Sequence, residues 1–231
     1  MLRLTYYGHS VIELSDTKYS VWVDPFITGN PLCPVKSGEI KRCDFICVTH
    51  GHADHIGDTI ALAQRFKSKV IATWELARFF EGKGVTVHPM AVGGAHDFPF
   101  GRVRMTIAFH GCGADPLPDG TVPPPNTPVG YVITFGKKSI YHSGDTALYS
   151  DMKLIGERTR IDVAFLPIGD NFTMGLEDAA KACEFVNPER CIPMHYNTWD
   201  VIKADVKAFA FKIEKQNRKC TVLQPGEFLE L

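Results

Sequence analysis

The stretch Asp44-Phe45-Ile46-Cys47-Val48-Thr49-His50-Gly51-His52-Ala53-Asp54-His55 decides the architecture of this 231-residue chain. Its first half, Asp44–Thr49, is a short apolar run of the kind a strand shows when both of its faces are buried. From Gly57 to Phe66 the pattern turns helical, with apolar residues at Ile60, Ala61, Ala63 and Phe66. The H-x-H-x-D-H between them therefore sits on a tight loop at the carboxyl end of a buried strand, where α/β folds place their ligands. With nine histidines in the chain, that spacing arises by chance in roughly one sequence in a thousand. Imidazole nitrogens suit borderline divalent metals, and a carboxylate balances their charge. Gly51 and Ala53 are small, which leaves room for ligands to converge. Four potential ligands within six residues cannot readily reach one ion. His50 and His52 point the same way along an extended segment, whereas Asp54 and His55 follow the turn. That favours two metals, each completed by residues from elsewhere.

Outward from this motif the chain reads as two similar β-then-α halves. Leu2–Tyr7, Val11–Leu14 and Tyr19–Asp24 are short, β-branched or aromatic and separated by polar turns. After the first helix come a strand at Val70–Ala72, a helix at Glu75–Phe80 and a strand at Val85–His88. Arg102–Phe109, Val129–Phe135 and Ser139–His142 return to β pattern, and Asp162–Pro167 is another buried-type strand. A helix over Glu177–Val186 stops at Asn187-Pro188. A strand at Arg190–Pro193 and a helix over Asp200–Lys215 follow, with Asp200 as its N-cap. The expectation is an α/β fold in a single domain over 1–231, with two sheets face to face and helices outside. Gly111–Pro128 is a long Pro- and Gly-rich connection, either a lid or a surface excursion.

Three further residues end strands and could face the same rim: His110, Asp145 in Ser143-Gly144-Asp145-Thr146, and His195. Alone, each reads equally well as a cap or turn residue. Together with His50–His55, and in this order, they resemble the metallo-β-lactamase superfamily. The resemblance covers essentially the whole chain and implies a four-layer αβ/βα sandwich with a dinuclear metal site at one edge. It implies a first metal on His50, His52 and His110, a second on Asp54, His55 and His195, and Asp145 bridging the two. Tyr7-Gly8-His9-Ser10 and Val23-Asp24-Pro25 look like the branch of predicted metal-dependent hydrolases related to the bacterial ascorbate-phosphate lactonase. The secreted β-lactamases carry a Cys at the Asp145 position, which argues against antibiotic hydrolysis. The flavin-linked di-iron branch has Glu at the His52 position, which argues against an oxidoreductase.

The same resemblance implies a hydrolase in which two metals about 3.5–4 Å apart acidify a bridging water. Asp54 orients that water and is a candidate catalytic residue. His9 is a candidate catalytic and substrate-binding residue, or a structural turn histidine. Asp24 is a candidate for orienting a ligand histidine from behind, or a strand-end cap. Asn171 is a candidate substrate contact. His88, His96 and His142 read as structural, His96 being the one expected nearest the site. Gly93-Gly94 reads as a turn, since no Gly-Lys-Ser/Thr follows. The donor set suits zinc first, then manganese, with iron or nickel also compatible.

Bulk properties bound the partners. Net charge is −1, with 25 basic and 26 acidic residues, so no basic footprint for nucleic acid is present. The seven cysteines form no C-x-x-C pair and read as reduced thiols. No long apolar run and no signal-like start is seen, so a cytoplasmic location and no membrane partner are expected. The expected substrate is a small molecule, a phosphorylated lactone or other ester. A phosphodiesterase or nuclease, and a non-catalytic metal-dependent sensing module, are the alternatives. Homo-oligomers are common in this superfamily and are compatible with the chain.

Overall fold

The structure is a computed structural model that describes residues 1–112 and 116–231. β1 (Arg3–Tyr6), β2 (Ile12–Ser15) and β3 (Ser20–Val23) form an antiparallel meander. β4 (Phe45–Cys47) pairs with β3 in parallel, β5 (Lys69–Thr73) with β4, and β6 (Val87–Met90) with β5. Parallel neighbours need crossovers. These are α1 (Ala53–Ile56) with α2 (Thr59–Phe66), and then α3 (Trp74–Gly82).

The second half repeats the plan. β7 (Ala95–Phe98), β8 (Gly101–Ile107), β9 (Val129–Phe135) and β10 (Lys138–His142) are antiparallel neighbours. α4 (Met152–Arg158) leads to β11 (Val163–Pro167), α5 (Leu176–Val186) to β12 (Arg190–Met194), and α6 (Val206–Lys215) to β13 (Lys219–Cys220), all three strands parallel to β10. β14 (Phe228–Glu230) crosses back to pair with β1. Each sheet thus has seven strands, in the orders β14-β1-β2-β3-β4-β5-β6 and β13-β12-β11-β10-β9-β8-β7.

The apolar run of β4 now has its reason. Phe45 and Cys47 enter the core between the sheets, with Leu4, Val21 and Ile71 from the first and Val103, Ile133 and Phe165 from the second. Ile46 and Val48 face the other way, onto Leu62 of α2 and Leu76 and Phe80 of α3. A strand covered on both faces has no polar side to show. On the outer face of the second sheet, Ala164 and Leu166 pack with Ala179 and Cys183 of α5 and Phe209 and Ile213 of α6. The result is helix, sheet, sheet, helix, as the strand–helix alternation predicted. Full burial of a side chain such as Phe80 or Leu76 contributes about 1.5–3 kcal/mol.

Three local expectations need correction. The last helix starts at Val206, not Asp200. Its cap is Asp205, whose carboxylate accepts from the Lys207 and Ala208 amides at 3.0 Å each. Asp200 instead opens a separate 3₁₀ turn, Asp200–Ile202, and pairs with Lys203 at 2.9 Å. Strands β7, β13 and β14 and helix α4 were not anticipated. β7 exposes three of its four residues, so it shows no alternation, and α4 has seven residues and buries only Met152 and Ile155. Among the described residues, no helix is long and apolar enough to cross a membrane.

Candidate metal centre

Each predicted metal ligand lies beyond the carboxyl end of a strand, on the loop or the helix that follows it. β4 ends at Cys47, and the chain runs through Val48 and Thr49 into His50, buried, and His52, half-buried at the N-cap of α1. Asp54 and His55 stand on α1 itself. His110 follows β8, Asp145 follows β10 and His195 follows β12. Each sheet therefore contributes half of the site.

The side chains converge in two groups. His50 Nε2 lies 3.0 Å from His52 Nδ1, and His110 Nε2 lies 3.4 Å from the same Nδ1. Nitrogens on one tetrahedral zinc, each about 2.0–2.1 Å from the ion, stand about 3.3 Å apart. The three imidazoles are spaced for one ion. In the second group, the Asp54 carboxylate lies 3.9 Å from His55 Nε2 and 3.8 Å from His195 Nε2. Asp145 Oδ2 lies 3.0 Å from His195 Nε2, 3.3 Å from His55 Nε2 and 3.8 Å from His110 Nε2. One oxygen thus touches both groups. His55 Nε2 and Asp145 Oδ1 are buried with no hydrogen-bond partner among the described residues. Buried polar atoms are rarely left so, and a bound cation would satisfy both.

The electrostatics differ between the groups. Burial, and then the neighbouring His55, holds the His50 imidazole well below its usual range, and burial lowers His110 too. In the second group burial also disfavours charge, but the Asp145, Asp24 and Asp54 carboxylates outweigh it and raise His55 well above the usual imidazole value. His195 is pushed up to about 9, against its burial, chiefly by Asp145. Burial would raise the two carboxyls, yet His55, His195 and His9 hold Asp54 far below the usual range, and His195 and His55 do the same for Asp145.

Asp24 sits behind the ligands. Its carboxylate accepts the His55 Nδ1 proton at 2.7 Å, the Thr49 hydroxyl at 2.7 Å and the Thr49 amide at 2.8 Å. This turns His55 Nε2 toward the centre. His9 is in the site rather than at its edge. It is fully buried, its Nε2 lies 3.0 Å from Asp54 Oδ2 and its Nδ1 lies 2.8 Å from Thr198 Oγ1. Burial, then His195, lowers its pKa to about 4, so the ring is neutral near pH 7. A neutral ring that donates from Nε2 to the carboxylate accepts the Thr198 hydroxyl proton at Nδ1. His9, Asp24 and His195 all carry left-handed backbone, with φ of 57°, 45° and 52°. Such residues are uncommon and gather at functional sites.

Other placements differ from expectation. Asn171, also left-handed at φ 41°, is exposed and makes no hydrogen bond to the cluster. His96 does not approach the site: it lies on the outer strand β7 with its ring 4.1 Å from that of His88. His142 is the one of the three that matters here. Its Nε2 donates to the Ser10 carbonyl at 2.9 Å and its Nδ1 accepts the Gly144 amide at 3.2 Å, fixing the turn that presents Asp145. Gly144 is required in that turn, because its φ is 62° and a Cβ would lie 2.5 Å from the Val129 carbonyl. Gly51 has a different role from the one expected. A Cβ there would lie 2.6 Å from Asn126 Nδ2 and 3.3 Å from Cys112 Sγ, so its smallness admits these two side chains beside the motif. Within that connection residues 113–115 lie outside the described residues, and Leu117 is buried among the residues around α2. Thr49, Thr198 and Cys112 were missed. Thr49 could have been suspected from its place beside the motif, whereas nothing local marks Thr198.

Residues 19–196 match the beta-lactamase superfamily domain. The chain belongs to that superfamily. Over its full length it is 47% identical to a UPF0173 metal-dependent hydrolase of Bacillus mycoides, which it also covers completely. A metallo hydrolase of Ignicoccus hospitalis superposes with a TM-score of 0.88 at 33% identity, covering 100% of this chain and 99% of that one. The chain is therefore a metal-dependent hydrolase of this superfamily, with a His/Asp cluster that could bind metal. The fold alone would not have said so. The di-iron β-hydroxylase CmlA of Streptomyces venezuelae superposes with a TM-score of 0.78 at 13% identity, over 100% of this chain and 54% of that one.

Proposed function

We propose that this superfamily member holds two divalent ions, zinc before manganese, iron or nickel, and hydrolyses an ester or lactone of a small molecule. The observation that carries this reading is the reach of Asp145 Oδ2 to His195, His55 and His110, since a carboxylate that touches both histidine groups is placed to bridge two ions. His50, His52 and His110 hold the first, Asp54, His55 and His195 the second. When bound, such ions acidify a water and polarise the scissile carbonyl. Asp54 would orient the attacking water, and His9, neutral and tied to Asp54 Oδ2, fixes which oxygen of that carboxylate faces the substrate. No serine or cysteine nucleophile is needed.

Metal analysis of the purified protein and of His110→Ala tests this, together with turnover of a lactone panel and bis(p-nitrophenyl) phosphate. About two metals per chain, falling in the variant, with turnover of the lactones supports the reading. A single metal in the native protein overturns the dinuclear centre. Preference for the phosphodiester replaces ester chemistry with phosphodiesterase chemistry. Full metal occupancy without any turnover points to the sensing alternative. We also propose no nucleic-acid partner, on the near-zero net charge, and a cytoplasmic location, on the unpaired cysteines.

A further inference from the structure

A cavity of about 720 Å³ opens beside Asp54. Its walls are Phe26 before α1, Ile60 and Ala61 of α2, Leu117 from the 111–128 connection, and Trp199 after β12. This is the size of a pocket that encloses a whole small ligand. Trp199 and Phe26 stand 6.2 Å apart, and the Trp199 ring lies 5.0 Å from His9, so the aromatic wall runs into the metal centre. Among the described lining residues the charged ones are Asp54, Asp58 and Asp119. Asp58 is spent on the backbone, accepting the Ile27 and Thr28 amides and the Thr28 hydroxyl. No lysine or arginine is among the described lining residues. The nearby Lys83 is engaged by Asp119 at 3.5 Å and Thr121 at 2.9 Å.

We propose that this cavity is the specificity pocket of the hydrolase and takes an uncharged, apolar arm of the substrate, an aryl or medium-chain acyl group, while excluding anionic arms such as a phosphate. The assignment rests on the hydrolytic centre proposed above, and it narrows the substrate class away from phosphorylated lactones. A phosphate arm in this pocket would find no lysine or arginine among the described lining residues, and the nearby Lys83 is already engaged by Asp119 and Thr121. An apolar arm would bury its surface against Trp199, Phe26, Ile60 and Leu117.

The test uses zinc-loaded full-length protein and two fluorescent probes with the same rings, neutral N-phenyl-1-naphthylamine and anionic 8-anilinonaphthalene-1-sulfonate. The neutral probe should bind at least about tenfold tighter, and Trp199→Ala should weaken it by about tenfold. Ala61→Lys, a change at an exposed position, should raise sulfonate affinity by a similar factor. Equal or tighter binding of the sulfonate to the native protein overturns the proposal, as does neutral-probe binding unchanged in Trp199→Ala. Turnover of p-nitrophenyl acetate, butyrate and hexanoate gives the second arm: kcat/KM should rise by up to about fourfold per methylene, and the slope should flatten in Trp199→Ala. Probe binding without ester turnover leaves the pocket and removes the ester chemistry. Ester turnover with a flat chain-length series and no probe binding removes the pocket and leaves the hydrolase.

Discussion

The two histidine groups of the centre lie side by side but are built on opposite principles. The group of His50, His52 and His110 is all imidazole, and at His50 and His110 burial disfavours a proton. The group of Asp54, His55 and His195, with Asp145 between, alternates acid and base at 3.0 to 3.9 Å. Without metal the second group holds itself together by protonating its histidines, whereas in the first burial works against a proton on His50 and His110. The first is thus open to a cation at neutral pH, while a cation entering the second must displace protons. Similar ligand chemistry can therefore give two sites of different readiness.

The largest break in this contrast is Asp145→Ala. It removes the bridging oxygen from both groups and leaves His55 and His195 buried without their main counter-charge. Metal content should fall at both sites and turnover should vanish. The metal-free protein should lose about 3 kcal/mol in a denaturant titration, the low end for a broken buried pair because histidine can shed its proton. Next come Asp54→Ala and His52→Ala, each expected to reduce kcat by about 10²–10⁴ or more, measured on the preferred panel ester. Near-full activity with metal still bound in either variant would sink its assigned role.

A chelator-competition titration across pH sharpens the contrast. His195 stays protonated up to about 9 in the metal-free protein, and a ligand must be unprotonated. Affinity of the second group should therefore climb with pH from neutrality to at least about 9, by about tenfold per unit for each proton displaced. The first group should show a shallower slope there, because burial lowers the pKa of His50 and of His110. Equal slopes at both would erase the distinction. The smallest effect belongs to Asp24→Asn, which keeps the shape behind His55 but loses the charge. It should weaken the second metal by about 10–100-fold and spare the first.

How much of this the sequence shows depends on distance along the chain. His50 to His55 are legible because their spacing is local and the strand before them is apolar on both faces. Asp145 and His195 are strand-end residues with no local mark, and only their order relative to the motif singles them out. The contact between His9 and Thr198 spans 189 positions, so it is invisible until both sheets are assembled. The start of α6 shows a different failure. Asp200 reads as the cap from its side chain alone, and the 3₁₀ turn at Asp200–Ile202 passes that role to Asp205. Asn171 looked like a site residue for the same reason as His195, a left-over polar residue after a buried strand, yet its side chain stays in solvent.

The Gly93-Gly94 turn joins β6, the last strand of one sheet, to β7, the first of the other. A cut there would separate His50, His52, Asp54 and His55 from His110, Asp145 and His195. Neither fragment would own a complete coordination shell, and β14 on the later fragment would have to find β1 on the earlier one. Any ion held across the two clusters would then join the fragments as a rivet does, and metal-dependent fragment complementation would report it.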